Sequence, residues 1–470
     1  MKYFQELVRF LPDPEFLFLI GIWLFVFFVA GTSFPYHYDS VNYALAIVEN
    51  FDIGLHQPHP PGYFFHVLLG KFLHLLINNP FVIQQVQNII YLCAMLPCWY
   101  LIKNRKRFDL LFLGTFPLVL FFPAVPIIHA ASLLFATWTA LAIHKMEKGE
   151  WSPLVLGLIY SLSIGFRQDM VLMLGPVVLY ALIRNKCSPK EWGLLFLMGF
   201  VVSMLWYIPT TILSNGLDPF QSTNTENFRF YESSSVFLGA NLFENIRTSL
   251  RFLIYPLGVL GPGGIIGACI ALRRIPLKTW IPIFLTTAPI VLYGTVFLLP
   301  FSYYYASALG FFATWILLKE GFPRSRKTMV LLSLLNLTFF WFAPGAQYNE
   351  WRGTFNERSL IENVGKQLLY SGANNRRLIV NNRDVMSFAD STIGNSCSFY
   401  VEKGIFWSRF WVYMSQYHWN NNYKESPLDA EYVMTRSEFA KKNPVAVSGG
   451  IRVYKTVQAP SDSTQATDEK

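Results

Sequence analysis

The sequence predicts an all-α polytopic membrane bundle followed by a small C-terminal α/β domain. Hydrophobic residues make up 53% of the 470-residue chain and charged residues only 14%, against roughly one quarter in an ordinary soluble domain. The polar sequence also collects after Pro344. This layout predicts a transmembrane module of residues 1–343 and a separate soluble domain.

Eleven apolar runs are candidate membrane helices, which need about 20 residues each with a range of roughly 17–25. One further apolar run, 63–77, is short and contains two histidines and a lysine. The eleven runs lie near 15–32, 81–102, 109–125, 128–144, 152–166, 170–184, 192–213, 252–272, 279–299, 303–319 and 328–343.

Basic clusters set the predicted topology. If the run 63–77 lies along the outer surface without crossing, every cluster falls on the side of the N-terminus, which the positive-inside rule assigns to the cytoplasm. If it crosses, every cluster faces outward. We therefore predict about eleven transmembrane helices in the plasma (inner) membrane, a cytoplasmic N-terminus and an extracytoplasmic C-terminal domain. The +9 net charge follows from these clusters and does not require nucleic acid as a partner. The clusters are 103–107, 145–148, 184–190, 273–278 and 319–327.

The C-terminal part reads as an α/β domain over residues 344–458, followed by a disordered tail, 459–470. Residues 357–370 have helical spacing. Three short runs have the composition of strands: 378–381, 431–435 and 451–455.

Two outer loops follow from this topology, near residues 33–79 and 214–251. In the first, Asp39 comes just after the first membrane helix, where an ionised carboxylate is costly to desolvate. Such a residue either extends toward water or has a function. The next residues, 41–50, have helical spacing. Their apolar residues suit a helix on the membrane surface; they are Ala44, Leu45, Ile47 and Val48.

The proline-rich stretch that begins at His56 should be extended, because residues before proline are pushed to extended geometry. A polyproline helix has three residues per turn, so His56 and His59 would point the same way and could hold a phosphate or a substrate hydroxyl. The alternative is a proline-stiffened loop with interfacial histidines. Both histidines, with Asp39 and Asp52, could also bind a divalent metal, although no metal motif is present.

Two further outer turns carry polar residues. Arg167 and Asp169 lie between two apolar runs, as either a functional pair or a simple ion pair that closes the turn. His129 lies in another turn, as a ligand-binding or merely interfacial residue. The tyrosines of 303–305 fit an aromatic belt. Three arginines of the second outer loop could bind a lipid phosphate: Arg229, Arg247 and Arg251.

The order of these features resembles the GT-C superfamily of membrane glycosyltransferases, in particular the protein O-mannosyltransferases and the aminoarabinose transferases that modify lipid A. The matching residues lie between Tyr38 and Tyr63: an aspartate after the first helix, a surface helix, and the His-Pro-Pro of residues 59–61. The resemblance implies a polyprenyl-phosphate-linked sugar as donor, inverting transfer to an acceptor hydroxyl, and Asp39 as the catalytic residue. Some members use a divalent metal.

With Asp39 as the catalytic residue, the predicted substrate-binding residues come from three outer turns. The alternative functions are a transporter or flippase of a lipid-linked glycan, and a scaffold whose C-terminal domain binds a partner. Transporters place ionisable groups near the bilayer midplane, whereas here they cluster at the predicted outer face, which favours the enzyme. The predicted substrate-binding residues are His56, His59, Tyr63, His129, Arg167 and Asp169.

Overall fold

The computed structural model divides the chain into two compact units, residues 1–378 and 379–470. Several predictions fall outside the described residues and stay predictions: the domain boundary at 343/344, the helix 357–370, the strand 378–381, the tail 459–470 and the three arginines of the second outer loop. The structure describes residues 13–31, 38–102, 108–223, 235–243, 245, 255–297, 302–323, 325–342, 397–401, 422–424, 426–435, 443–448 and 451–456.

Helices occupy every predicted membrane run, and a further helix occupies each of the two predicted surface segments. Short 3₁₀ turns precede two of the later helices, at Leu277–Trp280 and Ser302–Tyr305. The helices are α1 (Pro14–Ala30), α2 (Tyr38–Val48), α3 (Phe64–His74), α4 (Pro80–Tyr100), α5 (Asp109–Gly114), α6 (Pro117–Ala124), α7 (Ala130–Glu147), α8 (Pro153–Phe166), α9 (Met170–Arg184), α10 (Pro189–Leu213), α11 (Tyr255–Arg274), α12 (Ile281–Phe297), α13 (Ala306–Leu318) and α14 (Arg326–Phe342).

Three helices of the described residues are long and apolar enough to cross a membrane, as an integral membrane protein requires: Pro80–Tyr100, Pro189–Leu213 and Pro256–Arg274. The other apolar helices are shorter. The number of crossings therefore stays a prediction.

Capping residues explain where several helices begin. Asp13 accepts a hydrogen bond from the Glu15 amide (3.0 Å), and Asn79 accepts from the first turn of α4. Ser188 and Glu191 form a capping box at the start of α10. Each of these caps is followed by a proline, whose fixed φ suits the first helical position and whose missing N–H needs no partner there.

The predicted single span 109–125 is wrong as one continuous helix. It is broken into α5 and α6 at Phe116, whose ψ of 135° is extended. The cause is Pro117, which disfavours helical geometry in the residue before it and cannot donate a hydrogen bond to the preceding turn.

Helix α2 does not lie on the surface, contrary to the prediction from its spacing. Ala44, Leu45 and Ile47 were expected to face lipid, but all three are buried. The helix packs against α3 and α4. Its C-terminal end is closed by Lys71 of α3, whose ammonium donates to the Glu49 carbonyl (2.5 Å). Cations stabilise the free carbonyls at a helix C-terminus.

Helix α3 instead has the amphipathic surface expected of an interfacial helix. Val67, Gly70 and Leu73 are buried toward α2 and α4. The opposite face carries an apolar stripe, 52% to 80% exposed, at the spacing of a single helical face. This stripe fits the predicted position along a membrane surface; it consists of Leu68, Phe72, Leu75 and Leu76.

The second unit contains a mixed five-stranded sheet of order β2-β1-β3-β5-β4. β1 is parallel to β2 and β3, and β5 is antiparallel to β3 and β4. The predicted strands at 431–435 and 451–455 are confirmed and pair with each other, Tyr432 opposite Lys455. The strands are β1 (Ser398–Val401), β2 (Asn422–Tyr423), β3 (Tyr432–Thr435), β4 (Ala446–Ser448) and β5 (Ile451–Lys455).

Candidate functional site

Asp39 lies in the first turn of α2, beside a histidine and a tyrosine. Its carboxylate is 3.5 Å from Nε2 of His59, and 31% of its side chain is exposed. The Tyr43 hydroxyl is 3.4 Å from the same nitrogen. The predicted proximity of Asp39 and His59 is therefore present, and the carboxylate remains accessible to a ligand.

The hydrogen bonds of His59 restrict its protonation state. Its Nδ1 is 2.8 Å from the Pro60 carbonyl, and a carbonyl can only accept, so Nδ1 must carry a proton. Nε2 then has two options. It can be protonated and pair with Asp39, or it can accept a hydrogen bond from the Tyr43 hydroxyl, which keeps its proton. In either form His59 fixes the position of groups around Asp39.

A second polar group lies at the start of α7, in the turn between α8 and α9, and in the 3₁₀ turn before α13. The Arg167 guanidinium binds Asp169 in a bidentate manner through Nε (3.0 Å) and Nη2. Its Nη1 is 2.5 Å from Nδ1 of His129. The ring of Tyr304 lies against both, with its centroid 5.7 Å from the guanidinium carbon and 4.7 Å from the His129 ring centroid.

Arg167 is almost completely buried, with 4% of its side chain exposed. Burial lowers the pKa of Arg167, but Asp169 raises it by more through its charge and hydrogen bonds, so the guanidinium stays charged. Because Arg167 can only donate, Nδ1 of His129 must accept, which keeps His129 neutral while this contact lasts. The described residues take three of the five guanidinium N–H groups.

The two polar groups share electrostatic interactions through tyrosines between them. Burial raises the pKa of Tyr63, Arg167 opposes this shift, and Asp169 and Asp39 add to it. Burial likewise raises the pKa of Tyr304, with the same opposition from Arg167 and additions from the two carboxylates. Both phenols therefore remain protonated donors. Six of the seven predicted site residues, Tyr63 included, therefore lie in these two polar groups, and His56 does not.

Aromatic rings line the wall of this site near Asp39. The centroid of Tyr63 is 5.0 Å from that of His59 and 5.4 Å from that of Tyr43. Burial raises the pKa of Tyr43 well above its usual value, and Tyr63 and Asp39 raise it further. Tyr63 has a φ of 45°, an uncommon left-handed conformation for a large residue.

Two hydrogen bonds of Ser40 tie the start of α2 to its neighbours. The Ser40 hydroxyl donates to the Pro126 carbonyl (2.5 Å) in the turn that leads to His129. The Ser40 carbonyl in turn accepts from Gln84 Nε2 of α4 (2.9 Å). Asp39 is therefore held relative to both α4 and the His129 turn by its immediate neighbour in sequence.

A second amide of α4 secures the same turn. Asn88 Nδ2 donates to the carbonyls of Phe122 (3.0 Å) and Val125 (2.9 Å), where α6 ends. Asn88 is completely buried. A buried polar residue in an apolar helix is costly and usually serves packing or function. Here it fixes the backbone that precedes His129.

The prediction of a polyproline segment that aligns His56 with His59 is wrong. His56 adopts a left-handed conformation, φ 56° and ψ 39°, at the end of a 3₁₀ turn, Ile53–Leu55. That turn is closed by Asp52, whose backbone pairs with Gln57 in both directions (2.7 and 2.9 Å). Prolines restrict φ but do not prevent a reversal in the residues before them, which the extended-chain argument overlooked.

The four predicted metal ligands do not form a cluster. Within the described ranges, no three His, Cys, Asp or Glu side chains come together in a way that could hold a metal ion. The Asp52 carboxylate instead accepts from the Gly54 amide (2.8 Å) and the Asn215 side chain (3.2 Å). It joins the segment between α2 and α3 to the residues that follow α10.

Sequence reasoning missed the roles of Tyr43 and Tyr304 and interpreted residues 303–305 as an aromatic belt only. Aromatic residues are common at membrane interfaces, so their composition gives no signal here. A signal did exist for α4, whose apolar sequence contains four amide side chains in five positions: Gln84, Gln85, Gln87 and Asn88.

The site combines the accessible Asp39 carboxylate, the neighbouring His59, and the buried Arg167 cation. Asp39 can accept a proton from a bound hydroxyl. Arg167 can donate hydrogen bonds to an anion that forms during a reaction. No family model matches this chain, and neither does any curated protein or any solved structure.

Proposed function

We propose that this chain is a GT-C-like inverting glycosyltransferase that moves a sugar from a polyprenyl-phosphate donor to an acceptor hydroxyl at the outer membrane face. The observation that carries the proposal is the convergence of Asp39, His59, His129, Arg167 and Asp169 at one end of a bundle of apolar helices. The bundle would cross the membrane about eleven times, with the second unit outside the cytoplasm.

Asp39 is the proposed base. The acceptor oxygen attacks the anomeric carbon as the bond from that carbon to the phosphate oxygen breaks, so the sugar inverts. A carboxylate of ordinary acidity takes the hydroxyl proton late, after attack on an oxocarbenium-like centre has made that hydroxyl acidic. His59 orients Asp39. When His59 is an imidazolium, its positive charge makes the Asp39 carboxylate a weaker base, so the proton moves later in the reaction.

Arg167 is the proposed partner of the leaving phosphate. The leaving group departs as an anion and needs no general acid, but it does need donors that receive its charge. Two guanidinium N–H groups of Arg167 have no partner among the described residues and would serve this purpose, and Tyr63 and Tyr304 supply protonated hydroxyls. Asp169 and His129 hold the guanidinium in place, so that little reorganisation is needed during the reaction.

The alternative of a transporter or flippase has less support. The ion pairs of the described helices lie at helix ends and in the turns that join them. An alternating-access path would instead need ionisable groups around a central site. The break between α5 and α6 at Phe116 coincides with none of these ion pairs.

The test uses purified full-length protein in lipid vesicles with a panel of polyprenyl-phosphate sugars, and measures release of the polyprenyl phosphate. Asp39→Asn should lower the rate about 10²–10⁴-fold while donor binding is retained. Glu49→Gln, just past the other end of α2, is the matched control and should keep the wild-type rate. Movement of intact donor across the bilayer, equal in wild type and Asp39→Asn, would reject the enzyme in favour of the transporter.

A further inference from the structure

His66 of α3 is a buried polar residue that the proposed mechanism does not use. It is completely buried, and its Nδ1 is 2.9 Å from the hydroxyl of Tyr91 on α4. The His66 carbonyl accepts a hydrogen bond from Gln87 Nε2, also on α4 (2.7 Å). Tyr91 and Gln87 are themselves buried. Contacts with α4 therefore hold both the backbone and the ring of His66.

The hydrogen bond with Tyr91 assigns the proton of the His66 ring. If Tyr91 donates to Nδ1, neutral His66 has its proton on Nε2, and this N–H lacks a partner among the described residues. The reverse assignment would leave the Tyr91 proton unpaired as well. An unpaired buried donor is unfavourable, and an apolar ring of similar size would avoid it. Stability alone therefore does not explain a histidine at this position.

The His66 ring contacts Tyr43, which belongs to the candidate site. The two ring centroids are 5.4 Å apart and the ring planes make an angle of 74°, the edge-to-face arrangement that aromatic rings favour. The Tyr43 hydroxyl in turn lies 3.4 Å from Nε2 of His59. The same nitrogen is 3.5 Å from the Asp39 carboxylate. A chain of contacts therefore runs from α4 through His66 and Tyr43 to the proposed base.

His66 is also close enough to Arg167 to respond to its charge. Burial lowers the pKa of His66 to about 3, and the Arg167 charge adds to this lowering. His66 is therefore uncharged at neutral pH and supports Tyr43 without repelling the guanidinium. The hydrogen bond from Tyr91 also restricts rotation of the ring, because the terminal torsion of a histidine or a phenylalanine is otherwise broad. A phenylalanine at this position would lose that restriction.

We propose that His66 is a positioning residue for Asp39. Tyr91 holds the His66 ring, and this ring holds Tyr43. The Tyr43 hydroxyl then holds His59 beside the carboxylate. The inference rests on the proposed function, because the consequence that it names is the correct placement of the base. The coupling between His66 and His59 can be measured without turnover, so the two proposals can fail separately.

The first experiment is NMR spectroscopy of full-length protein in nanodiscs, labelled with ¹⁵N-histidine. The His59 ring signals are assigned by their loss in His59→Gln. His66→Phe and Tyr43→Phe should each move the His59 Nε2 signal, because both break the contacts that hold this ring. Tyr91→Phe, which removes a single hydroxyl, should move the signal as well, and it replaces His66→Phe if that variant does not fold.

The second experiment measures kcat and KM for release of polyprenyl phosphate. His66→Phe should lower kcat about 10- to 10²-fold with little change in KM, because a small displacement of a catalytic group slows the chemical step. Tyr43→Phe should also lower kcat. The double variant should lose no more than the larger single loss, since both substitutions interrupt one chain of contacts.

His74→Phe is the matched control for both experiments. It makes the same exchange on the same helix, but the Nδ1 of His74 lies 3.2 Å from the Ile77 carbonyl, at the far end of α3. We expect the His59 signal and both kinetic constants to stay as in wild type.

Two results would overturn the proposal. One is a wild-type His59 signal in both His66→Phe and Tyr91→Phe. The other is a double variant whose loss of kcat is the product of the two single losses, which would mean that His66 and Tyr43 act independently. A shifted His59 signal without donor cleavage by wild type would keep the coupling and reject the transferase. Asp39-dependent cleavage with an unmoved His59 signal would reject the role of His66 alone.

Discussion

The two ends of the helical unit both carry charged residues, but they hold them differently. At the candidate site, Arg167 is buried, bidentate to Asp169 and in contact with His129. At the opposite end of α7, Glu147 lies 3.6 Å from Arg184 and 3.4 Å from Lys319, and Arg184 is 56% exposed. The 18-residue α7 separates these ends by about 27 Å.

This difference underlies the proposed division between a functional end and a supporting end of the unit. At the opposite end of α7, here called the basic end, the pair that includes the exposed Arg184 is screened by water and typically contributes less than about 1 kcal/mol. Lys145 is buried there too, but it pairs locally with Glu150, five residues on. The basic residues of this end fit the predicted topology. A buried cation is costly to desolvate, and its ion pair seldom stabilises a protein more than apolar packing would. Burying Arg167 among tyrosines is therefore better explained by a task than by stability.

The largest expected difference between the two ends is in catalysis. Arg167→Lys keeps the charge but loses the planar fork that binds Asp169 and reaches His129. We expect the turnover number to fall about 10²–10³-fold, as when one donor to a developing anion is removed. The measurement is kcat and KM for release of polyprenyl phosphate.

Arg184→Lys, at the opposite end, is the matched control and should leave both constants unchanged. A wild-type kcat in Arg167→Lys would mean that Arg167 only closes a turn, which is the structural alternative that its sequence context also allowed.

An intermediate loss of stability and turnover is expected when Asn88, which holds the backbone before His129, is replaced. Asn88→Leu removes two hydrogen bonds to the carbonyls of Phe122 and Val125. Leaving these carbonyls without a partner should destabilise the unit by about 1–3 kcal/mol for each one that finds no substitute. We expect a lower Tm in detergent and a lower kcat, because the His129 turn loses its anchor.

The control for this variant is Asn185→Leu near the basic end, where Nδ2 donates to the Ala181 carbonyl (2.7 Å) in a half-buried position. Water can replace that bond, so the Tm should change less and the kcat not at all. An equal Tm loss in both variants, with kcat retained in Asn88→Leu, would show that α4 supports folding only.

The candidate site could be predicted in part because ionisable residues in turns between apolar runs are rare and costly. That reasoning found Asp39, Arg167, Asp169 and His129 without any pairing information. The predicted topology places all four on the outer face, and in the structure Arg167 contacts Asp169 and His129. His56 was misassigned because a local reversal at φ 56° depends on Asp52 and Gln57 pairing, which the extended-chain rule does not include.

The burial of α2 could not be predicted for a different reason. Its apolar spacing fits a membrane surface and a protein interior equally well, and only the packing of α3 and α4 around it decides between them. The same ambiguity hid Tyr304, since a tyrosine at the membrane interface and a tyrosine that lines a site have the same composition. Partners distant in sequence carry this information, and no local pattern does.

The smallest effect is expected at the basic end itself. Glu147→Gln removes the shared partner of Arg184 and Lys319 while keeping the size of the side chain. The free energy of unfolding should change by about 1 kcal/mol or less. The difference should shrink at high salt, because salt screens the exposed Arg184 and, in part, the half-buried Glu147 and Lys319. Lys319 keeps its contact with the Trp315 ring, 4.4 Å from the centroid. Thermal unfolding at low and high salt, beside turnover, is the measurement. A large loss of turnover from Glu147→Gln would mean that the two ends are coupled through α7, and the division between a functional and a topological end would then fail.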